Sequence, residues 1–300
     1  VITGKAYEYD GNTRKEINLT DDQAAEIEEI KEALMEKVAE SDEELMEKYF
    51  EGEEFTPEEI SKGLRLAVAH GDLVPLIVGA AEKTIGCDFL LEIIERYIPS
   101  PAEVASVKAI KNDKEVEVKI NSKEPFSAIV FKTIVDPFVG KLSIFKVLTG
   151  KITKDMEIYN QSKDRSEKLG GLFVLRGKNQ IEVAEVLAGD IGATAKLQYT
   201  QTGDSIEDKN ANIEYPRIEY PQPTLFLSVE PKTKGDEEKI GTSLHRLTEE
   251  DPTFVLQRNS ETKQLLIGGQ GNMQLAVIID KLKNTFGVDV VLKNPKIAYR

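Results

Sequence analysis

The spacing of apolar residues changes character twice along this chain, and no single-layer fold accommodates all three patterns. Between Thr20 and Gly71 apolar residues recur every three or four positions, the period of helices with one buried stripe. From about Pro101 to Glu214 they come in short β-rich runs separated by turn glycines, which predicts a small antiparallel barrel. From Leu225 to Leu292 strand-like and helix-like runs follow the order β-α-β-β-α-β, the split βαβ of a ferredoxin-like sandwich. With 300 residues and 40% hydrophobic content the chain can bury a core in each part. The expected boundaries are 1–100, 101–217 and 218–294, with 295–300 opening a further module.

Local signals sharpen the first third. Thr20-Asp21-Asp22-Gln23 has the form of a capping box, and Ile27, Ile30, Leu34 and Val38 make the stripe behind it. Thr56-Pro57-Glu58-Glu59 starts a second helix, which buries Ile60, Leu64, Ala67 and Val68 and stops at Gly71. Leu73-Val74-Pro75-Leu76-Ile77-Val78 then predicts a strand buried on both faces of a parallel sheet, with Pro75 placing it at an end or edge. A helix with Phe89, Leu90, Ile93, Ile94 and Tyr97 inward follows, ended by Pro99 and Pro101. One strand cannot make an open sheet, so the rest of that α/β domain is expected upstream of Val1. In the middle third the expected strands are Val116–Ile120, Ala128–Ile134, Lys141–Leu148, Glu157–Tyr159, Leu172–Leu175, Ile181–Val186 and Ala193–Leu197.

Charge is partitioned in the same way. Residues 1–100 hold 25 Asp/Glu against 10 Lys/Arg, while residues 101–215 hold 17 of each and residues 216–300 hold 11 against 12. The net −14 therefore belongs to the first third, and the other two-thirds carry no electrostatic argument against an RNA partner. Between Asp21 and Glu59 there are 17 acids and three lysines, read either as a solvated face or as a partner surface. No apolar run approaches the ~18 residues that cross a bilayer, and the lone Cys87 permits no internal disulfide, so a reducing cytoplasm is the expected setting.

Few residues offer chemistry. His70 and His245 lie in different modules, Cys87 reads as a small buried residue, and neither a metal cluster nor a nucleophile–base grouping is expected. No G-x-x-x-x-G-K-[ST] occurs; the nearest string, Gly171 to Gly177-Lys178-Asn179, has the wrong spacing and sits among strands. Gly268-Gly269-Gln270-Gly271 opens a helix, where bare amides suit an anion, although a tight strand-to-helix turn more often explains such glycines.

Colinear motifs across essentially the whole chain resemble elongation factor G. Val38 to Glu54 and Leu90 to Pro101 are similar to late segments of that family's GTPase domain. Asp136-Pro137-Phe138-Val139-Gly140-Lys141-Leu142, Gly189-Asp190-Ile191 and Thr202-Gly203-Asp204-Ser205 resemble its second domain. Glu230-Pro231-Lys232-Thr233-Lys234 and Glu249 to Phe254 resemble its third.

The resemblance implies the C-terminal part of a P-loop GTPase domain with a helical insertion, then the barrel, then the sandwich. It implies a parent that binds GTP with Mg²⁺ and drives tRNA and mRNA through the ribosome. Gly79, Ala80 and Ala81 stand where the family has its G-S-A guanine loop, with Ala80 replacing the serine. The phosphate loop, switches and N-K-x-D motif are expected before Val1, so this chain alone is expected to hydrolyse no GTP. Gly269, Gln270, Gly271, Asn272 and Gln274 are the expected partner-binding residues, in a turn where the family reads G-M-G-E-L-H-L-E. There Asn272, Gln274 and Ala276 replace an acid, a histidine and an acid, which suggests a divergent paralogue. Implied partners are ribosomal RNA and proteins, with the stalk protein meeting the acidic insertion, and the chain is expected to be monomeric. A ribosomal protection or recycling factor, or a nucleotide-independent ribosome- or RNA-binding protein, is the alternative.

Overall fold

The structure, a computed structural model, describes residues 1–297 except 12, 104–105, 137–139, 210 and 234. Pro137-Phe138-Val139 and Lys234, each inside a resembling motif, lie outside the described residues, as do 298–300 of the expected further module. The chain forms two compact units, Val1–Glu103 and Val104–Arg300.

In the first unit a hairpin of β1 (Ala6–Asp10) and β2 (Thr13–Ile17) precedes four helices, α1 (Asp21–Glu40), α2 (Glu43–Phe50), α3 (Pro57–His70) and α4 (Cys87–Tyr97). Both expected capping boxes form: Thr20 pairs reciprocally with Gln23, and Thr56 with Glu59. Gly71, at φ 86°, ends α3 in the left-handed region that glycine enters freely. Val38, Leu45, Leu64 and Tyr97 form the core, with Leu34, Ile60, Val68 and Ile93 packed around it. Gly63 lets α3 approach α1, since a Cβ there would lie 2.6 Å from Val38 Cγ1. The hairpin, which the sequence reading missed, is pinned to α4 by Arg14, whose guanidinium stacks on Phe89 and reaches Glu92 at 3.0 Å.

Three expectations fail here. Leu73–Val78 joins no ladder among the described residues, and Val74, Leu76 and Val78 are exposed while Leu73, Pro75 and Ile77 are half-buried. Apolar content marks a segment suited to a sheet, yet a strand exists only where a neighbour supplies hydrogen bonds. On α4 only Tyr97 is buried and Phe89 and Ile93 half-buried, whereas Leu90 and Ile94 face outward. Ile30 on α1 is likewise exposed, because the packed stripe begins one turn later at Leu34.

Two carboxylates fasten this unit. The Thr56 N–H, then Lys48, hold Glu59 down at about 2; Arg65, then the Ser100 N–H, hold Glu103 at about 2. Both values lie below the ordinary 4.5, so the stabilisation is complete above pH ~4.5 and disappears as pH falls towards 2. The melting midpoint of the first unit is expected to fall across that window, and Glu59→Gln should flatten the profile; an unchanged slope in a pH series of calorimetric scans would contradict it.

The second unit begins with β3 (Val107–Lys111) and β4 (Lys114–Val118). Then come β5 (Ser127–Asp136), β6 (Gly140–Thr149), β7 (Lys151–Thr153), β8 (Glu157–Asn160) and β9 (Arg165–Lys168). They are followed by β10 (Leu172–Arg176), β11 (Asn179–Glu182), β12 (Glu185–Leu187), β13 (Ile191–Ala195), β14 (Ser205–Glu207) and β15 (Ile213–Glu214). Eight of these form one antiparallel sheet in the order β11-β10-β13-β6-β5-β14-β8-β9, which curls around a shared core of Phe126, Phe145, Val147, Ile152, Ile158, Leu172 and Ile206. The ribbon β7–β12 contributes Ile152 and Val186 to the same core, and β15-β3-β4 makes a small separate sheet. Strand β6 is buried on both faces, Phe145 and Val147 inside the barrel and Leu142 and Ile144 in a second cluster, which explains its nearly continuous apolar run. The expected single strand Ile181–Val186 is two, broken at Val183-Ala184 so that its halves join different sheets.

The sandwich follows: β16 (Leu225–Pro231), α5 (Glu237–Glu250), β17 (Val255–Arg258), β18 (Leu265–Gly269), α6 (Asn272–Phe286) and β19 (Val290–Lys293). The antiparallel order β17-β18-β16-β19 places the first and third strands of the module centrally, as a ferredoxin-like sheet requires. Ile240, Leu244 and Leu247 of α5 and Leu275, Ile278 and Leu282 of α6 cover one face together with Phe254 and Ile267. Helix α5 also packs on β5 of the barrel, and Lys141 Nζ of the adjoining β6 lies 3.7 Å from Glu249 Oε1.

Candidate functional site

The structure separates the two groups of expected site residues between the two units. Gly79, Ala80 and Ala81 form one side of an exposed loop. Ala80 makes an antiparallel bridge with Ile85, its N–H donating to the Ile85 carbonyl at 2.9 Å and its carbonyl accepting at 3.2 Å. Residues Ala81–Lys83 turn in a single 3₁₀ step, and Gly86 starts α4 at φ 78°. A Cβ on Gly79 would sit 2.7 Å from the Ile85 carbonyl oxygen, so glycine is required for this close approach. The bridge uses the Ala80 amide internally and leaves Ala81 as the candidate backbone contact for a ligand. Cys87, expected buried, is half-buried at the first position of α4.

The second group is the turn between β18 and α6. Gly268 sits against Phe226 and Val255, where a Cβ would be 2.5 and 2.7 Å from their side chains. Gly269 is equally crowded, by Gln274 and Leu275. These glycines serve packing, as the tight-turn reading proposed. Gly271 is extended, and Asn272 opens α6 with Met273 80% exposed beside it.

Gln274 faces inward instead of presenting its head group. Its Nε2 donates to Asp251 Oδ2 at 2.7 Å and to Thr253 Oγ1 at 2.6 Å, and its Oε1 accepts the Gln270 N–H at 2.6 Å. Burial opposes ionisation of Asp251, but hydrogen bonds from Thr253 and Gln274 outweigh it and hold the carboxyl below its ordinary value. Of the expected residues, Gln270 and Asn272 are therefore the polar ones left on the surface. Beside them Asp251, Pro252, Glu250 and Lys281 face Phe131, Lys132 and Thr202 of the barrel across a cleft of about 300 Å³. The motif Glu249 to Phe254 was visible in the sequence, but nothing in it signalled a hydrogen bond to an amide on the next helix.

Comparison with known proteins resolves the architecture. A family model described as Elongation factor G domain 2 matches residues 125–209, and one described as Elongation Factor G, domain III, matches residues 220–294. The chain belongs to the elongation factor G-like family. Its barrel is the family's domain II and its sandwich the family's domain III. The crystal structure of a Thermus thermophilus protein is 29% identical, with a TM-score of 0.82 over 99% of this chain. This chain spans 42% of that one. The helical first unit, outside both family models, falls within that structural match.

Proposed function

We propose that this chain acts on the ribosome as the docking and coupling part of a GTP-driven translation factor. The observation that carries it is the succession of domain II and domain III packed as one compact unit. Two neutral modules of this kind present surfaces to RNA without the repulsion that the acidic first third would impose. In this reading GTP, with its Mg²⁺, serves the parent protein, and Gly79, Ala80 and Ala81 supply a guanine contact through the Ala81 backbone. The chain has no phosphate-binding loop motif and contributes positioning rather than phosphoryl transfer. Translocation is the proposed activity and the cytoplasm the proposed site, with the chain working as a monomer. Gln274, turned inward to Asp251 and Thr253, offers neither acid nor imidazole to a partner, which supports a divergent paralogue over the housekeeping factor.

The acidic face of α1 and α2 is proposed to meet a basic patch on the stalk protein. Co-sedimentation with intact ribosomes over a salt series tests both ideas. Saturable binding that weakens with salt is expected, with no GTP turnover by the chain alone. Reversing Asp22, Glu26 and Glu29 to lysine should abolish binding to isolated stalk protein while leaving the fold intact. Absence of ribosome binding at ~50 mM salt would remove the first idea, and stalk binding indifferent to the reversals would remove the second.

A further inference from the structure

The segment between β15 and β16 carries Pro216, Pro221 and Pro223, so it has few amides with which to tie itself down. Its barrel end is held by buried Tyr215, whose N–H donates to Ser205 Oγ at 2.8 Å, and its sandwich end by the turn into α6. Gln270 Nε2 donates both protons to consecutive carbonyls of this linker, Pro221 at 3.1 Å and Gln222 at 2.9 Å. Thr224 completes the contact, its N–H donating to the Gly269 carbonyl and its hydroxyl to the Gln270 carbonyl, both at 2.9 Å. From the Gln270 N–H the path continues through Gln274 to Asp251 and Thr253. Asp251 and Pro252 border the cleft that faces the barrel. Two side-chain amides thus join three separate places: the linker, the start of α6, and the α5–β17 turn at the barrel.

We propose that Gln270 is a latch that decides whether the linker between barrel and sandwich behaves as a rigid strut or as a hinge, with Gln274 relaying its state to the α5–β17 turn. The chemistry is specific to a primary amide. Both acceptors are carbonyls, so the latch needs two donors on one head group at the reach of a glutamine side chain. Alanine removes both donors, asparagine keeps them one methylene short, and glutamate sets a carboxylate against two carbonyl oxygens. Gln270 is exposed, and its loss leaves the core of the sandwich untouched. This inference rests on the hydrogen bonds alone and holds whatever partner the chain has.

The test is a spin-label distance distribution in the full chain with Cys87→Ser, labelled at the exposed Lys178→Cys on the barrel and Lys239→Cys on the sandwich. A single narrow distribution is expected for the parent. Gln270→Ala and Gln270→Asn should broaden it, and Gln270→Glu should broaden it most. Amide exchange at Thr224 should quicken roughly tenfold in the same variants. Gln257→Ala, at an exposed strand position, should change neither readout. Folded Gln270→Ala and Gln270→Asn proteins with unaltered distance distributions and unaltered Thr224 exchange would overturn the latch.

Discussion

Replacing Gly150 with alanine is expected to destabilise the second unit by about 3–5 kcal/mol, lowering its melting midpoint by roughly 10 °C. Gly150 joins β6 to β7 at φ 64°, a region where side chains are strained. A Cβ would also lie 2.5 Å from the Glu124 carbonyl oxygen, 2.6 Å from the Phe126 nitrogen and 2.8 Å from its Cα. These are backbone atoms of a segment that feeds the barrel core, so they cannot swing aside as a long side chain would. The residue's own amide donates to the Asn121 carbonyl at 2.8 Å, and its carbonyl accepts from Ala188 at 3.0 Å, which fixes the chain from both sides. Gly177 supplies the control. It has nearly the same φ, 60°, but open space where a Cβ would go, so Gly177→Ala should cost only ~1–2 kcal/mol. Equal losses for the two variants in denaturant unfolding would show that conformational strain, and not the close approach, dominates at Gly150.

Glu167→Ala is expected to produce a loss of similar size, about 3–5 kcal/mol, through unpaired backbone groups. Glu167 is only 8% exposed near the end of β9. Its carboxylate accepts the N–H groups of Gln198 at 2.6 Å and of Tyr199 and Thr200 at 2.9 Å, and also the Thr200 hydroxyl. Asp204 acts on the same loop from the other side, accepting from the Gln201 N–H and from the Asn160 amide. The loop between β13 and β14 thus gets its shape from two acids in place of a sheet ladder. Truncating Glu167 strands three backbone N–H groups and the Thr200 hydroxyl at once, and the two donors of fully buried Thr200 have no access to water. Glu167→Gln keeps the volume but turns an amide group towards an N–H, so it should fall between wild type and Glu167→Ala. Hydrogen exchange at Thr200 together with denaturant unfolding checks this; a Glu167→Ala protein within ~1 kcal/mol of wild type would refute it.

What the sequence disclosed and what it hid follow one physical line. Helices carry their hydrogen bonds locally, so Thr20, Thr56 and Gly71 announced their ends. Strands depend on neighbours, and there the reading was partial. Ser205-Ile206-Glu207 is fully buried inside the eight-stranded sheet, yet three residues with two polar ones are too short a run to stand out as a buried strand. Leu73–Val78 shows the reverse, a strongly apolar run without a ladder among the described residues. Domain identity was legible because motif order survives in the sequence. The role of Gln274 was not, since an inward-turned amide and an outward-facing one are the same letter.

The position of β14 has a consequence for how the molecule comes into being. Its residues lie between β5 and β8, with Glu207 opposite Ser127 and Ile206 opposite both Ala128 and Asn160. During vectorial synthesis β5, β6 and β8 therefore emerge with a gap in their sheet, which is filled only once Ser205–Glu207 has been polymerised. Closure then requires a long loop to be ordered in one step, a slow event of the kind that sets the pace in topologies rich in distant pairings. The helical segments ahead of the barrel draw their caps and core from neighbouring stretches, so they can form while the barrel is still unsealed.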